Sequence, residues 1–380
     1  MKKLLLSLLL TTMMVLLAAC PSSDNQKPAP LIAFKPKIQV QKLWGQHTGY
    51  NAKAYANLQI GHDQKALYTA DFNGTVYANS LLSGNKIWRK RLHANIVSGV
   101  SVNDKLTIIA DGNGQVIALN TADGAIRWQQ NVGNQVLALA AIANGVVVVK
   151  TVADKVITLS AKNGSLLWHF DGNAPTLILR GGSQAKIVGN KVIVGFADGK
   201  LRAFDLYKGS LLWEQIIAQP EGGFEVERMV DITASFQESD GVVYVVSYQG
   251  NLAALAVDSG RILWRHKLSS YTGLTVGNGY LYVTDAQSHV YCFAIQDGTN
   301  IWQQTTLQAR NITAPVLFEK YVIVADAQGY IHWLAQKDGQ FVARQQLSSA
   351  VIRSALVALG KRLYVLDTHG HLAAYTLANQ

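Results

Sequence analysis

The residues best able to carry chemistry in this 380-residue chain are two cysteines, nine histidines and 24 carboxylates, and their spacing argues against an active centre. A zinc site needs His, Cys or carboxylate ligands that converge at short spacing. Here the histidines are scattered, and His369 and His371, which flank Gly370, read as a surface hairpin. Calcium asks for about six to eight oxygen ligands, yet Asp, Asn and Glu cluster only at turn positions, where they already have a structural task. There is no His-Glu-x-x-His, no Gly-x-Ser-x-Gly elbow and no phosphate-binding loop; Gly181, Gly182 and Ser183 lack both the lysine and the strand-to-helix setting. The expectation is a chain without catalytic residues, metal or cofactor.

Glycine, tryptophan and aspartate serve a repeat instead. Gly74, an apolar alternation through Val76 and Ala78, a second turn at Gly84 and then Trp88 form a unit. It recurs as Gly114, Gly124, Trp128; as Gly199, Gly209, Trp213; and as Gly250, Gly260, Trp264. Weaker copies start at Asp154 (Gly164, Trp168) and Ser288 (Gly298, Trp302), and a seventh runs from Gly329 to Gly339 with Ala343 in the tryptophan's place. The period is about 42 residues, the length of a propeller blade. Each unit opens with an apolar strand ending near Asp, such as Leu67 to Asp71, and continues with the period-two alternation of a strand.

An eighth copy opens at Gly370, and its last strand would fall beyond residue 380. The N-terminal alternation Ile38, Val40, Leu43, Trp44 is expected to supply that strand. The predicted fold is therefore all-β: an eight-bladed β-propeller of four-stranded antiparallel blades over residues 38–380, its ring closed by the N-terminal strand pairing in the last blade. Closure hides the sheet edges an open array would expose. Each tryptophan is expected to wedge one blade against its neighbour, since a ring of that size buries a large apolar area. The slot four residues after the first turn is small in seven units (Ala78, Ala118, Thr158, Ala203, Ala254, Cys292, Ala374) and is Trp333 in the other. Cys292 thus reads as a buried small residue rather than a reactive thiol, and Trp333 as filling space left by Ala343.

The spacing breaks twice, across residues 174–183 and 220–231, and loops inserted into a rigid scaffold are where function concentrates. Ahead of the repeats, Lys2 and Lys3 precede an apolar run from Leu4 to Leu17, the layout of a secretory signal. The run ends in Leu17, Ala18, Ala19, Cys20, similar to the bacterial lipobox, in which the cysteine is lipidated. Residues 1–19 are then a lipoprotein signal peptide, and 20–37, with Pro21, Pro28, Pro30 and Pro36, a lipidated N-terminus and flexible linker. Such a linker spans about 55 Å when extended. Pro21, where inner-membrane retention would use Asp, favours the outer membrane. The net charge of +10 suits acidic partners or an anionic membrane, and export argues against nucleic acid.

Lipobox, linker, eight repeats and a Leu-x-Leu-Arg segment at Leu177, Ile178, Leu179, Arg180 together resemble the BamB family, the propeller lipoproteins of the outer-membrane β-barrel assembly machinery. The resemblance covers the whole chain. It implies a non-catalytic adaptor on the periplasmic side of the outer membrane, monomeric within a hetero-complex. The adaptor would dock on a periplasmic POTRA domain of the inserting subunit BamA and assist unfolded barrel precursors. It further implies a docking patch of Leu177, Leu179 and Arg180 with an acidic loop in the next blade. Of the family's two acids only Asp231 transfers, being followed by Ile232 and Thr233, and Glu225 and Glu227 are candidates to replace the other. Two leucines beside an arginine also make chemical sense as an interface anchor.

The repeat resembles quinoprotein dehydrogenases as well, eight-bladed propellers holding pyrroloquinoline quinone. Those use an adjacent cysteine pair and a Ca²⁺ site, and this chain has neither. The alternatives are a lipoprotein that binds cell-wall glycan or another periplasmic partner and, less favoured, a quinoprotein dehydrogenase.

Overall fold

The computed structural model describes residues 27–49, 56–179, 181–182 and 184–378, and every regular element among them is a β-strand. The expected signal peptide, Cys20 and Arg180 lie outside the described residues. Blade 1 runs through Gly61–His62, Ala66–Ala70, Thr75–Ser80 and Lys86–Arg91, each strand antiparallel to the one before. Six further blades repeat that order, and the eighth comprises Val357–Leu359, Arg362–Leu366, His371–Leu377 and, out of sequence, Val40–His47. The result is an eight-bladed β-propeller. First strands of neighbouring blades meet around the centre, as Gly273–Gly277 does with Val316–Phe318. Last strands form the rim; in Lys86–Arg91 only Trp88 is fully buried.

The ring closes as the sequence predicts. Val40 pairs with Leu377, Trp44 with Ala374 and Gln46 with Leu372, so the N-terminal strand is the outermost strand of blade 8. One blade exceeds four strands: Asn57–Leu58 pairs in parallel with Ile96–Val102, occupying backbone groups at the inner edge of blade 2.

The tryptophan and the small slot turn out to be partners on one rung. Trp88 lies opposite Ala78, Trp128 opposite Ala118, Trp168 opposite Thr158, Trp213 opposite Ala203 and Trp264 opposite Ala254. Trp302 faces Cys292 and Trp44 faces Ala374. Cys292 is buried, as its slot requires, and burial pushes its thiol up to about 12. Each ring then lies on the second-turn glycine of the next blade. A Cβ on Gly84 would meet the Trp44 ring at 2.6 Å, and one on Gly124 the Trp88 ring at 2.8 Å. The indole N–H also donates across the seam, from Trp88 to the Thr121 carbonyl at 3.0 Å and from Trp44 to the Leu81 carbonyl at 3.3 Å. In blade 7 the rung is inverted, Trp333 facing Ala343. Trp333 is fully buried between blades 7 and 8, edge-on to Tyr375.

The described part of the expected linker, residues 27–37, lies against blade 7 rather than free of it. Ala29 N–H donates to the Gln308 carbonyl at 2.9 Å and Lys37 N–H to the Val342 carbonyl at 2.8 Å. Phe34 stacks on Phe341 with ring centroids 5.5 Å apart, beneath the Arg344 guanidinium. The Phe34 ring favours this packing because it loses water only when the run lies against the blade.

The first turns and the crossovers between blades share one face, as the Leu92 N–H to Gly74 carbonyl bond of 2.7 Å illustrates. Aspartates shape this face: Asp71 Oδ1 accepts from Thr75 N–H at 2.9 Å and Asp111 Oδ1 from Gln115 N–H at 2.8 Å. The second turns lie on the opposite face, where a cavity of about 940 Å³ opens among residues such as His62, Lys105, Arg127 and Lys162.

Candidate functional site

Both insertions are crossovers, so both rise from the first-turn face. The first joins Leu166–Phe170 of blade 3 to Lys186–Val188 of blade 4; the second joins Leu211–Ile216 of blade 4 to Gln237–Ser239 of blade 5. They are neighbours in space because their blades are neighbours in the ring.

In the first insertion Leu177 is 41% exposed, while Ile178 and Leu179 are half-buried and Arg180 lies outside the described residues. The segment after it is seated by backbone-scale contacts. Gly182 sits so near Ala138 that an added Cβ would approach at 3.1 Å, and Gln184 Nε2 donates to the Ala140 carbonyl at 3.2 Å.

The second insertion supplies Asp231, and the structure puts its carboxylate under Leu179. Asp231 is only 3% exposed, and its Oδ1 has no hydrogen-bond partner. Burial pushes its carboxyl up to about 6; the Lys150 ammonium and the Leu179 main-chain N–H favour the charged form, whereas Asp154 and Asp198 oppose it. Asp231 therefore holds the first insertion from beneath and does not offer its carboxylate to solvent. Its own backbone is fixed by the Tyr248 N–H, which donates to the Asp231 carbonyl at 2.9 Å.

Charged residues for which the sequence predicts no site role form the floor. Lys150 pairs with Asp154 at 2.7 Å, both buried, and Asp154 Oδ2 accepts from Ala197 N–H at 2.9 Å. Arg202 bridges Asp198 and Glu214 at 2.6 Å each, its guanidinium 4.4 Å from the centre of the Phe196 ring. The available signal was Asp154 itself, a residue at φ +60° where strong copies of the repeat carry glycine.

The tip of the second insertion is the other surface feature. Phe224 is 72% exposed and Val226 55%, with Glu225 exposed between them. Glu227 is committed locally, its Oε2 accepting from Gly223 N–H at 2.9 Å and Phe224 N–H at 3.1 Å. Leu177, Phe224 and Val226 are thus apolar groups that the two insertions leave exposed on one face. Among the described residues no His, Cys, Asp or Glu group is arranged to hold a metal ion.

A family model described as outer membrane protein assembly factor BamB matches residues 73–304 and 294–379. The chain is 47% identical over 307 residues to the outer membrane protein assembly factor BamB of Pseudomonas aeruginosa, covering 80% of this chain and 81% of that protein. Its structure is similar to the crystal structure of BamB from Moraxella catarrhalis, with a TM-score of 0.82 at 24% identity over 89% of this chain and all (100%) of that one. The quinohemoprotein alcohol dehydrogenase of Comamonas testosteroni shares the fold alone, with a TM-score of 0.69 at 11% identity over 89% of this chain and 76% of that one.

Proposed function

Because the chain belongs to the family of the outer membrane protein assembly factor BamB, we propose that it is a non-catalytic scaffold lipoprotein of the β-barrel assembly machinery. On this reading Cys20 carries the lipid and the propeller faces the periplasm. The first-turn face docks on a POTRA domain of the inserting subunit BamA through Leu177, Leu179 and Arg180, and the docked ring assists delivery of unfolded barrel precursors.

The supporting observation is the pairing of the two insertions: an exposed Leu177 on a loop whose Leu179 sits over the buried Asp231 carboxylate. A loop fixed before binding loses little conformational freedom on binding, so a small apolar anchor suffices. An arginine beside it can grip a partner carboxylate with two parallel hydrogen bonds. Replacing Leu177, Leu179 and Arg180 together by alanine is expected to abolish co-purification with BamA from solubilised outer membranes while the thermal unfolding transition is kept. Retained co-purification of a folded triple variant would overturn the docking patch.

A further inference from the structure

We propose that the rim at the seam of blades 6 and 7, on the first-turn face, is the part of the ring held against an anionic bilayer. The inference rests on the lipid at Cys20 proposed above, and it concerns how the ring hangs from that lipid.

The anchor segment is built into the fold at a defined place. Arg310, only 2% exposed and paired with Asp326 at 2.7 Å, donates through Nη1 to the Ala29 carbonyl at 2.8 Å. Arg344 donates through Nη1 to the Ile32 carbonyl at 3.0 Å. Two arginines seated in blade 7 therefore hold two strap carbonyls, and Phe34 stacks on Phe341 just beyond. Ala29 N–H also bonds the Gln308 carbonyl, in the crossover from blade 6 to blade 7, so the chain reaches the strap from the first-turn face.

That geometry shortens the tether. From Cys20 to Lys27 is seven residues, about 25 Å fully extended, under half the reach of the whole proline-rich segment. Lys27, where the chain enters the strap on the first-turn face, is exposed, and a basic residue beside a lipid anchor is drawn to anionic headgroups within a Debye length of the surface. Lys37 lies at the strap's other end, its Nζ donating to Gln340 Oε1 at 3.2 Å near the second turn. Charge and chain length both select the bilayer as the occupant of this rim. The insertions stand on the same face two to three blades away, so a subunit docked there would lie beside the membrane.

The test uses the full lipidated chain in vesicles of phosphatidylethanolamine and phosphatidylglycerol that carry a headgroup quencher. Fluorophores are placed by Gln287→Cys on the proposed rim, by Gln296→Cys on the opposite face of the same blade, and by Asn113→Cys on the first-turn face across the ring. All three side chains are exposed, whereas Cys292 is buried and will not compete. Quenching is expected to be several-fold stronger at Gln287 than at the other two sites. Replacing residues 28–37 by a glycine–serine chain of equal length should remove that ranking. Equal quenching in the parent, or an unchanged ranking in the replaced chain, overturns the proposal. A chain that fails to float with vesicles would instead sink the lipid reading itself.

Discussion

Trp333 and Ala343 share a rung on which blade 7 has exchanged the large and the small residue. The other rungs place a tryptophan on the rim strand against a small residue one strand further in, and the ring covers the glycine of the next blade. Blade 8 has no second turn of that kind, because its rim strand comes from the N-terminus, so the ring in blade 7 sits on the inner strand and packs against Tyr375. Trp333→Ala should cost about 3–5 kcal/mol in chemical denaturation, since the site is walled by both blades and cannot collapse. Adding Ala343→Trp should recover part of that loss; no recovery would mean the rung is not one packing unit. At an ordinary seam, Gly124→Ala should cost about 2 kcal/mol, for the left-handed φ of +73° and the Cβ set against Trp88. The rung was readable in advance: slot and tryptophan lie ten residues apart in every unit from Ala78–Trp88 to Trp333–Ala343. What the letters did not reveal is that this spacing means opposition across a hairpin, because the register slips beside each tryptophan.

The two insertions work as one element, with Asp231 as the joint. In the unfolded chain this carboxyl ionises near its ordinary value of 3.8, and burial pushes it up to about 6 in the fold. Between those values the folded protein keeps a proton the unfolded chain has released. The contribution of this group to stability therefore falls as pH rises from about 4 to 6 and stays lost above. Asp231→Asn removes that penalty, so the variant should gain up to about 3 kcal/mol over the parent at pH 7.5 and nothing at pH 3. A difference independent of pH in denaturation curves would rule the carboxylate out as the cause. The price of the charge is then a loop held ready. As for legibility, breaks in the repeat correctly marked both insertions, and the Leu-x-Leu-Arg resemblance marked Leu177 and Leu179. Exposure could not be read there: Asp231 lies underneath, while Phe224 and Val226, passed over as ordinary apolar letters, stand in solvent. Whether an apolar side chain is covered depends on neighbouring blades, which local sequence does not contain.

The whole molecule is a ring whose seams are alike except for the one between blades 7 and 8, where Trp333 replaces the rim tryptophan. Blade number, closure and phase were legible because a repeat reports its own architecture. The strap was not, because a proline-rich run reads as a spacer until Phe34, Arg310 and Arg344 are seen together. Closure makes a demand that can be checked. If the N-terminal strand is a full member of blade 8, Trp44 must hold its seam as Trp88 holds the next one, for both rings cover a glycine and both indoles bond a carbonyl across the gap. Trp44 is the more exposed of the two, so Trp44→Ala should cost somewhat less than the roughly 3–5 kcal/mol expected of Trp88→Ala, yet clearly more than the ±0.5 kcal/mol of a surface change. Urea denaturation of the two variants at one pH makes the comparison. A loss for Trp44→Ala no larger than that of a surface substitution would mean that the ring in solution is held shut by its other seven seams, with the N-terminal strand resting on blade 8 rather than completing it.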